Sequence, residues 1–230
     1  MAIKIITTED GSHSLLDEKL NETYHSTRGA QGESMHVFIK AGLEHWISQN
    51  LEDEVFVLEI GFGTGLNAFL SAQFALQNHK RIHFASLEPF PITNEIYENL
   101  NYHNSKKEEE LFLKIHQCEW ENEVIINDRF FLKKMESTLE DITFPELFDV
   151  VYFDAFAPNK QPEVWFLENL KKCHSLLKSG GVLITYCAQG QFKRNLAEAG
   201  FNVETLPGAM GKKEMVRGIK KNSIKKTRAS

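Results

Sequence analysis

A short apolar run that ends in three alternating glycines constrains the fold of this chain more than any other feature. The run Val55–Ile60 is rich in β-branched residues and stops at Gly61-Phe62-Gly63-Thr64-Gly65. Helix-forming, mostly apolar residues follow from Leu66 to Leu76, so the pattern predicts a buried strand, a tight turn and a buried helix. Glycines accept positive φ and let the backbone pass close to a ligand. We therefore predict that Gly61, Gly63 and Gly65 line a cofactor site, with a ligand-free turn as the alternative.

Strands and helices alternate along the rest of the chain. Further strands are predicted at Ile82–Leu87, Phe148–Phe153 and Val182–Tyr186. Helices are predicted from Thr93 to Tyr102, from Pro162 to Leu177 and from Gln191 to Ala199, with Lys178-Ser179-Gly180-Gly181 ending the second. Strands joined by helices form a mostly parallel sheet that is covered on both faces. The predicted class is therefore α/β, with a doubly wound, Rossmann-like sheet.

The two ends of this pattern are different. The last two strands, Phe201–Leu206 and Glu214–Ile219, have no helix between them and predict an antiparallel hairpin at one edge. This ending is common in the class I methyltransferase version of the doubly wound fold and unusual in the dehydrogenase version. At the other end, we expect residues 1–50 to be an N-terminal extension packed on a catalytic domain of residues 51–220, with a helix near Met35–Ser48. Residues 221–230 form a predicted basic tail.

The segment from Glu108 to Glu140 has a less regular pattern. Leu111–Ile115, Val124–Ile126 and Phe130–Leu132 all look like strands, and the pattern does not set their order in the sheet.

Composition excludes several classes of protein. Apolar residues make up 42% and charged residues 25% of the 230 positions, as in globular proteins with a real core. No stretch approaches the ~20 apolar residues of a membrane span, and the start lacks the apolar region of a signal peptide, so we expect a cytoplasmic protein without membrane contact. Three distant cysteines and nine histidines without ligand spacing predict neither a disulfide framework nor a metal site.

Charge is distributed unevenly along the chain. The formal net charge is −6, but from Gly211 onward eight Lys or Arg residues stand against one Glu. The preceding 210 residues carry 18 basic and 31 acidic side chains. A basic end on an acidic body suits a partner with phosphates that approaches from one side. The alternative is a solvated tail that only improves solubility.

Three acidic residues and one amide point to the kind of cofactor. Glu59, two residues before the first glycine, suits the amino group and sulfonium of S-adenosylmethionine, whereas it would repel a pyrophosphate. Asn67 stands where a dinucleotide-binding loop would carry a small residue. Glu88 ends the second strand, 23 residues after Gly65, where an acid accepts hydrogen bonds from ribose hydroxyls. Glu136 is predicted to meet the adenine from the next strand.

The segment Asp154-Ala155-Phe156-Ala157-Pro158 carries the predicted chemistry. It follows the fourth strand of the sheet, at the carboxyl edge where ligands of open α/β sheets bind. It resembles the D/N-P-P-Y motif of methyltransferases that act on planar amino groups. We predict that Asp154 accepts a hydrogen bond from the nucleophilic nitrogen while Phe156 packs against a base. The alternative is an Asp that caps the following turn.

A larger set of motifs resembles the methyltransferase module of the MnmC family. The matching stretches are Tyr24-His25-Ser26, Gly29-Ala30, Glu33-Ser34, His36–Ile39, Leu58–Asn67, Ser86–Pro91, Phe153–Trp165 and Gly211–Met215. The resemblance implies S-adenosylmethionine as methyl donor and the aminomethyl group of 5-aminomethyl-2-thiouridine, at the wobble position of a tRNA anticodon loop, as acceptor. It assigns Gly61, Gly63 and Gly65 to the glycine loop, Glu88 to the ribose and Asp154 to catalysis.

The resemblance also bears on the substrate side. Glu33, Phe156, Pro158, Lys212 and Lys213 are the expected substrate-binding residues. The charge distribution predicts the phosphate contacts, which are Lys212, Lys213 and Arg217 together with the lysines of the tail. The bifunctional members continue into a flavin-dependent oxidase, whereas this chain ends at Ser230. We therefore expect a methyltransferase-only form without FAD or metal.

Three other functions share some of these features. A nicotinamide-dependent oxidoreductase would share the glycines and Glu88 but would leave Glu59 and the Asp154 segment unexplained. An aminopropyltransferase of the polyamine type, or another small-amine methyltransferase, would share the fold and the aspartate at a strand end. A non-catalytic RNA-binding relative would keep the basic end. No sequence feature indicates an oligomeric state.

Overall fold

The computed structural model describes residues 3–145 and 147–221. Within these residues the strands are β1 (Ile3–Thr7), β2 (His13–Asp17), β3 (Glu22–Thr23), β4 (Glu54–Ile60), β5 (Arg81–Leu87), β6 (Glu123–Asn127), β7 (Phe130–Met135), β8 (Phe148–Phe153), β9 (Leu177–Thr185), β10 (Phe201–Pro207) and β11 (Glu214–Lys220). The α-helices are α1 (Ala30–Ser34), α2 (His45–Gln49), α3 (Leu66–Gln77), α4 (Asn94–Tyr97), α5 (Lys106–Gln117), α6 (Leu167–Leu176) and α7 (Gly190–Glu198).

An eight-stranded sheet forms the centre of the fold. Its strand order is β10-β11-β9-β8-β4-β5-β7-β6. The five central strands, from β9 to β7, pair in parallel. The predicted antiparallel hairpin of β10 and β11 lies at one edge, which confirms the doubly wound class I methyltransferase fold. At the other edge β6 pairs antiparallel with β7, an arrangement that the sequence pattern left open.

The glycine turn connects β4 to α3 and sets the geometry of this sheet edge. Gly61, Gly63 and Gly65 all have positive φ, at 93°, 51° and 70°. A Cβ on Gly61 would lie 2.6 Å from the Asp154 carbonyl oxygen, so only glycine lets the turn pack against the end of β8. The predicted strand, turn and helix are confirmed, and the turn directly adjoins the Asp154 segment.

The two faces of the sheet bury separate apolar clusters, because successive strand residues point to opposite sides. Val57, Phe84 and Tyr152 belong to the cluster on the face that also buries residues of α3 and α5. Leu58 and Phe153 belong to the cluster on the face of α6 and α7. Burial on both faces explains why these central strands are almost continuously apolar.

The N-terminal extension is more ordered than the sequence indicated. β1, β2 and β3 form a separate antiparallel sheet. α1, a π-helical segment Met35–Glu44 and α2 then follow without a break, so the predicted helix near Met35–Ser48 is confirmed and begins earlier. Its first backbone N–H groups are capped from the loop after β1: Ala30 N and Gln31 N donate to Ser12 Oγ, and Gly32 N donates to Asp10 Oδ2.

Three predicted elements were wrong in type or extent. Leu111–Ile115 belongs to α5 and not to a strand, because Phe112 and Ile115 lie three residues apart on one buried helical face. The predicted helix from Thr93 to Tyr102 is reduced to α4, Asn94–Tyr97. Lys178-Ser179-Gly180-Gly181 is part of β9, which begins immediately after α6.

The helix predicted from Pro162 is divided into a 3₁₀ segment, Pro162–Trp165, and α6. Across the described ranges, no helix has the length and apolar character that a membrane crossing requires. Of the predicted basic tail, residues 222–230 lie outside the described residues.

Candidate active site

A cavity of about 580 Å³ opens at the carboxyl ends of four parallel strands. Its wall includes Gly61–Thr64 after β4, Glu88–Phe90 after β5, Ser137–Glu140 after β7 and Asp154–Phe156 after β8. The N-terminal extension contributes Tyr24 and His25 on another side. This volume falls within the range of small-molecule sites, and the position is the one where open α/β sheets bind ligands.

The glycine turn forms one wall of the cavity. Gly61 N and Phe62 N both donate to the Leu87 carbonyl oxygen, at 2.9 and 3.1 Å, which ties the turn to the end of β5. Gly61 and Gly63 line the cavity. Gly65 lies behind it, where a Cβ would be 2.7 Å from His116 Nε2, so this glycine permits close packing under α3.

The Glu88 carboxylate faces the cavity at the end of β5. Its Oε2 accepts from Gly63 N at 2.9 Å and its Oε1 accepts from Phe90 N at 2.9 Å. Burial raises the pKa of Glu88, and these two hydrogen bonds oppose that rise. The carboxylate is thus held rigidly beside the glycine turn, where the sequence predicted a partner for ribose hydroxyls.

The Asp154 carboxylate follows β8, which pairs with β4 on the side opposite to β5 and Glu88. It is half-buried in the cavity wall. Its Oδ2 accepts from Asn67 Nδ2 at 2.8 Å, and its backbone N donates to the Ile60 carbonyl at 3.0 Å. Burial raises the pKa of Asp154 to about 7; the Glu33 charge adds to this rise, whereas Asn67 and Lys212 oppose it. The side chain therefore exchanges a proton near neutral pH.

Aromatic and charged side chains lie around Asp154. The rings of Tyr24 and Phe156 meet edge to face, with centroids 4.9 Å apart. Lys212 Nζ donates to Glu33 Oε1 at 2.5 Å and lies 4.6 Å from the centre of the Tyr186 ring. Phe156 lines the cavity beside Asp154, whereas Glu33 and Lys212 are close enough for their charges to act on Asp154 but are not part of the cavity wall.

Other predicted site residues lie elsewhere. The Glu136 side chain is exposed, and residues 137–140 take its place in the cavity wall. Pro158 and the exposed Lys213 are not part of that wall. Glu59 is completely buried behind the glycine turn.

The prediction that Arg217 contacts phosphates was wrong. Its guanidinium is buried, donates to Glu204 Oε2 through Nε and Nη2, and donates to the Ala41 carbonyl through Nη1. The two bonds to Glu204 join β11 to β10 within the hairpin, and the bond to Ala41 ties the hairpin to the π-helical segment Met35–Glu44. A long side chain with this many partners is structural.

Sequence reasoning assigned no role to two groups that close the cavity. His25 lies with Nδ1 3.2 Å from Ser14 Oγ and Nε2 3.4 Å from Thr64 Oγ1, and burial lowers its pKa to about 4, so it is neutral. Lys160 Nζ donates to the carbonyls of Leu20 and Asn21, which joins the Asp154 loop to the N-terminal sheet. For His25, the Tyr24-His25-Ser26 motif was the sequence feature that could have indicated a role in the site.

These residues fit a positively charged nucleoside cofactor. The glycine turn leaves space that a Cβ would occupy, Glu88 offers carboxylate oxygens to hydroxyl groups, and Leu66, Phe90 and Leu139 supply apolar wall. The carboxylates of Glu88 and Asp154 favour a sulfonium or an amine and disfavour a pyrophosphate.

Comparisons with known proteins agree with this geometry. A family model described as S-adenosyl-L-methionine-dependent methyltransferase matches residues 94–221. The tRNA 5-methylaminomethyl-2-thiouridine biosynthesis bifunctional protein MnmC of Campylobacter hominis is 32% identical over 212 residues, covering 88% of this chain and 31% of that protein. The protein of the same name from Leptospira interrogans is 32% identical over 234 residues, covering 91% and 34%. This chain spans about a third of the length of these curated relatives.

A solved structure shares the fold. MnmC2 from Aquifex aeolicus matches with a TM-score of 0.79 and 21% identity, over 96% of this chain and 71% of that one. At this level of identity the likeness concerns the fold, and it extends across the N-terminal extension as well as the central sheet.

Proposed function

This chain belongs to a family of S-adenosyl-L-methionine-dependent methyltransferases, and from that premise we propose that it methylates the aminomethyl nitrogen of 5-aminomethyl-2-thiouridine in tRNA. The acceptor would be the wobble base of the anticodon loop and the product 5-methylaminomethyl-2-thiouridine, the nucleoside that the relatives' names contain. Bases of such loops are already single-stranded, so turning one into a pocket costs little.

The observation that carries this proposal is the setting of Asp154. A carboxylate oriented by Asn67 stands beside the glycine turn, and the Tyr24 and Phe156 rings adjoin it in the same cavity. Asp154 would accept a hydrogen bond from the acceptor amine, while the rings would hold the base. A nicotinamide-dependent hydride transfer has no use for this combination.

The cofactor supplies an electrophilic methyl group on a sulfonium. Gly61 and Gly63 would allow its close approach to the backbone, and Glu88 would hold its ribose hydroxyls. The residues after β7, Ser137–Leu139, would border the adenine, in place of the predicted Glu136.

The acceptor amine must lose a proton before it can attack, because a free alkyl ammonium has a pKa of roughly 10.4. Partial desolvation in the cavity and the adjacent positive charge of the cofactor both lower that pKa. Asp154, whose own pKa is about 7, would orient the nitrogen and offset the positive charge that develops on it. Correct orientation of two reactants accounts for up to ~7–11 kcal/mol of rate acceleration.

The charges near the cavity indicate how tRNA would approach. Lys212 is paired with Glu33, whereas the exposed Lys213 has a side chain that would meet the backbone of the anticodon loop. Phosphate contacts of this kind position a nucleic acid without reading its sequence. We therefore propose that Lys213 contacts the phosphate backbone, and that Glu33, Phe156 and Lys212 contact the base.

Methyl transfer to tRNA tests the proposal. The purified chain is incubated with methyl-labelled S-adenosyl-L-methionine and tRNA that carries 5-aminomethyl-2-thiouridine, and the digested nucleosides are separated. Label is expected in 5-methylaminomethyl-2-thiouridine, with turnover reduced about a hundredfold in Asp154→Asn. Wild-type turnover in that variant would reject the role of Asp154.

Parallel incubations separate the alternatives. Decarboxylated S-adenosylmethionine with putrescine would give spermidine if the chain were an aminopropyltransferase. Binding of NADH in preference to S-adenosyl-L-methionine would indicate an oxidoreductase. Binding of tRNA and cofactor without label in any nucleoside would indicate a non-catalytic relative.

A further inference from the structure

Glu59 is buried too deeply to act as the cofactor ligand that its sequence position suggested. It is the penultimate residue of β4, and its side chain is 0% exposed. Ser86, its direct neighbour on β5, donates Oγ–H to Glu59 Oε2 at 2.5 Å. The cavity wall does not include Glu59. Its carboxyl group therefore interacts with neighbouring side chains of the protein, and these neighbours indicate its role.

Two buried oxygens beside the glycine turn have no hydrogen-bond donor. They are Glu59 Oε1 and Asn67 Oδ1. The Asn67 side chain lies close enough to the Glu59 carboxyl to affect its pKa, and its Nδ2 donates to Asp154 Oδ2 at 2.8 Å. Each buried acceptor without a donor costs about 1–3 kcal/mol, so two of them on neighbouring side chains are an unfavourable arrangement.

One proton satisfies both oxygens. We propose that Glu59 is neutral and donates its carboxyl proton to Asn67 Oδ1, completing a hydrogen-bond relay from Ser86 through Glu59 and Asn67 to Asp154. The proton enters from solvent when the chain folds, and the chemical step does not consume it. Glu59 is then a positioning residue: it fixes the Asn67 amide with its N–H group toward Asp154. This inference rests on the proposed role of Asp154.

The surroundings of Glu59 favour the neutral form. Burial, followed by the nearby carboxylates of Asp154 and Glu88, raises the pKa of Glu59 well above its usual value, although the hydrogen bond from Ser86 and the proximity of the Asn67 amide oppose that rise. From β8 the Tyr152 hydroxyl also faces it. Lys134, on β7 beyond Ser86, donates instead to the His116 carbonyl at 2.6 Å.

The relay explains how Asp154 keeps one orientation in an open cavity. An amide has a donor and an acceptor end, and with Nδ2 bonded to Asp154 the buried Oδ1 needs a donor of its own. A donor at position 59 supplies it and holds the amide in this orientation. Glutamine also supplies such a donor and accepts from Ser86, whereas leucine has a similar size and supplies none.

Infrared difference spectroscopy of the full chain at about pH 8, where Asp154 is mostly ionised, detects the proton on Glu59 directly. The wild type is expected to show the C=O stretching band of a neutral carboxyl that Glu59→Gln lacks. The exposed Glu109→Gln serves as the control and keeps the band, as does Asp154→Asn. If the wild type and Glu59→Gln show no difference in that band, Glu59 is ionised and the relay is wrong.

Binding and turnover provide the second readout. Glu59→Gln is expected to keep the dissociation constant of S-adenosyl-L-methionine and kcat within about threefold, whereas Glu59→Leu keeps the dissociation constant and loses about tenfold or more in kcat. A tenfold weaker dissociation constant in Glu59→Gln would identify Glu59 as a charged cofactor ligand and overturn the inference. Equal kcat in Glu59→Leu would do the same.

These measurements separate the relay from the proposed function. The infrared band and cofactor binding require no tRNA, so they stand if tRNA methylation fails. If Glu59→Leu does not fold, Glu59→Gln and the infrared band still decide the question.

Discussion

Ionised Asp154 is expected to lower the free energy of unfolding at neutral pH, because its carboxyl is held in the wall of the candidate site. The pKa of its carboxyl is about 7 in the folded chain, against 3.8 for an ordinary aspartate. Between about pH 4 and 7 the native state therefore holds this proton more strongly than the unfolded chain does. It follows that ionised Asp154 lowers the free energy of unfolding as pH rises through this interval.

The size of the effect follows from the pKa difference. At 1.36 kcal/mol for each pKa unit, the full interval is worth about 4 kcal/mol as an upper limit. About 2.5 kcal/mol of that limit develops between pH 5 and pH 8. Because the carboxylate faces a cavity that water enters, screening reduces the expected change over this range to about 1–2 kcal/mol.

Urea unfolding of the wild type and Asp154→Asn at several pH values between 5 and 8 measures the effect. The variant cannot ionise at this position, and its Oδ1 still accepts from Asn67. We expect the free energy of unfolding of Asp154→Asn, relative to the wild type, to increase with pH by the amount above and to level off above pH 7. The same comparison with Glu109→Gln, an exposed acid on α5, controls for the loss of a surface charge.

A constant difference between Asp154→Asn and the wild type from pH 5 to pH 8 would refute this reasoning. It would mean that the Asp154 carboxyl has an ordinary pKa and that Asn67 and Lys212 fully compensate its burial. A difference that decreases with pH would show a net stabilised carboxylate.

Three further perturbations test separate parts of the site. Glu88→Ala should weaken S-adenosyl-L-methionine binding in calorimetry by about tenfold or more while kcat at saturation changes little, and an unchanged dissociation constant would exclude a ribose contact. Gly61→Ala places a Cβ 2.6 Å from the Asp154 carbonyl at φ +93° and should lower the free energy of unfolding by about 1–3 kcal/mol in urea titration; wild-type stability would contradict the close packing. Lys212→Ala removes a charge that lowers the pKa of Asp154, so the acidic limb of the kcat–pH profile should move to higher pH, and a fixed limb would show that the charge does not reach Asp154.

Local patterns in the sequence were enough to predict which strand ends meet at the cavity. Gly61 and Gly63 follow a strand that the apolar run marks clearly, and Asp154 follows another. In a parallel sheet these carboxyl ends meet at one edge, so their proximity follows from the strand pattern alone. Glu88 was placed by the same argument.

The direction of side chains could not be read from the same patterns. Glu59 precedes the end of β4 and points into the core under α3, whereas Asp154 stands one residue beyond β8 and reaches the cavity. The residues next to Glu136, and not Glu136 itself, turn toward the cavity after β7. One residue of shift at a strand end changes the face, which spacing from the glycines does not specify.

Contacts between distant segments were also outside the reach of local patterns. Arg217 lies in a basic stretch, but Glu204 and the Ala41 carbonyl bind its guanidinium in the folded chain. The run Leu111–Ile115 has apolar residues that suit either a strand or a helix, and the burial of Phe112 and Ile115 decides for the helix. Tertiary packing determined both outcomes.

The central claim is that Asp154 holds the acceptor amine next to the bound methyl donor. A crystal structure of the chain with S-adenosylhomocysteine and an anticodon stem-loop carrying 5-aminomethyl-2-thiouridine tests it most directly. The account predicts the amine nitrogen within hydrogen-bond distance of an Asp154 carboxylate oxygen, facing the cofactor sulfur, with the base against Tyr24 and Phe156. An amine bound away from Asp154, with the carboxylate turned from the sulfur, would contradict it.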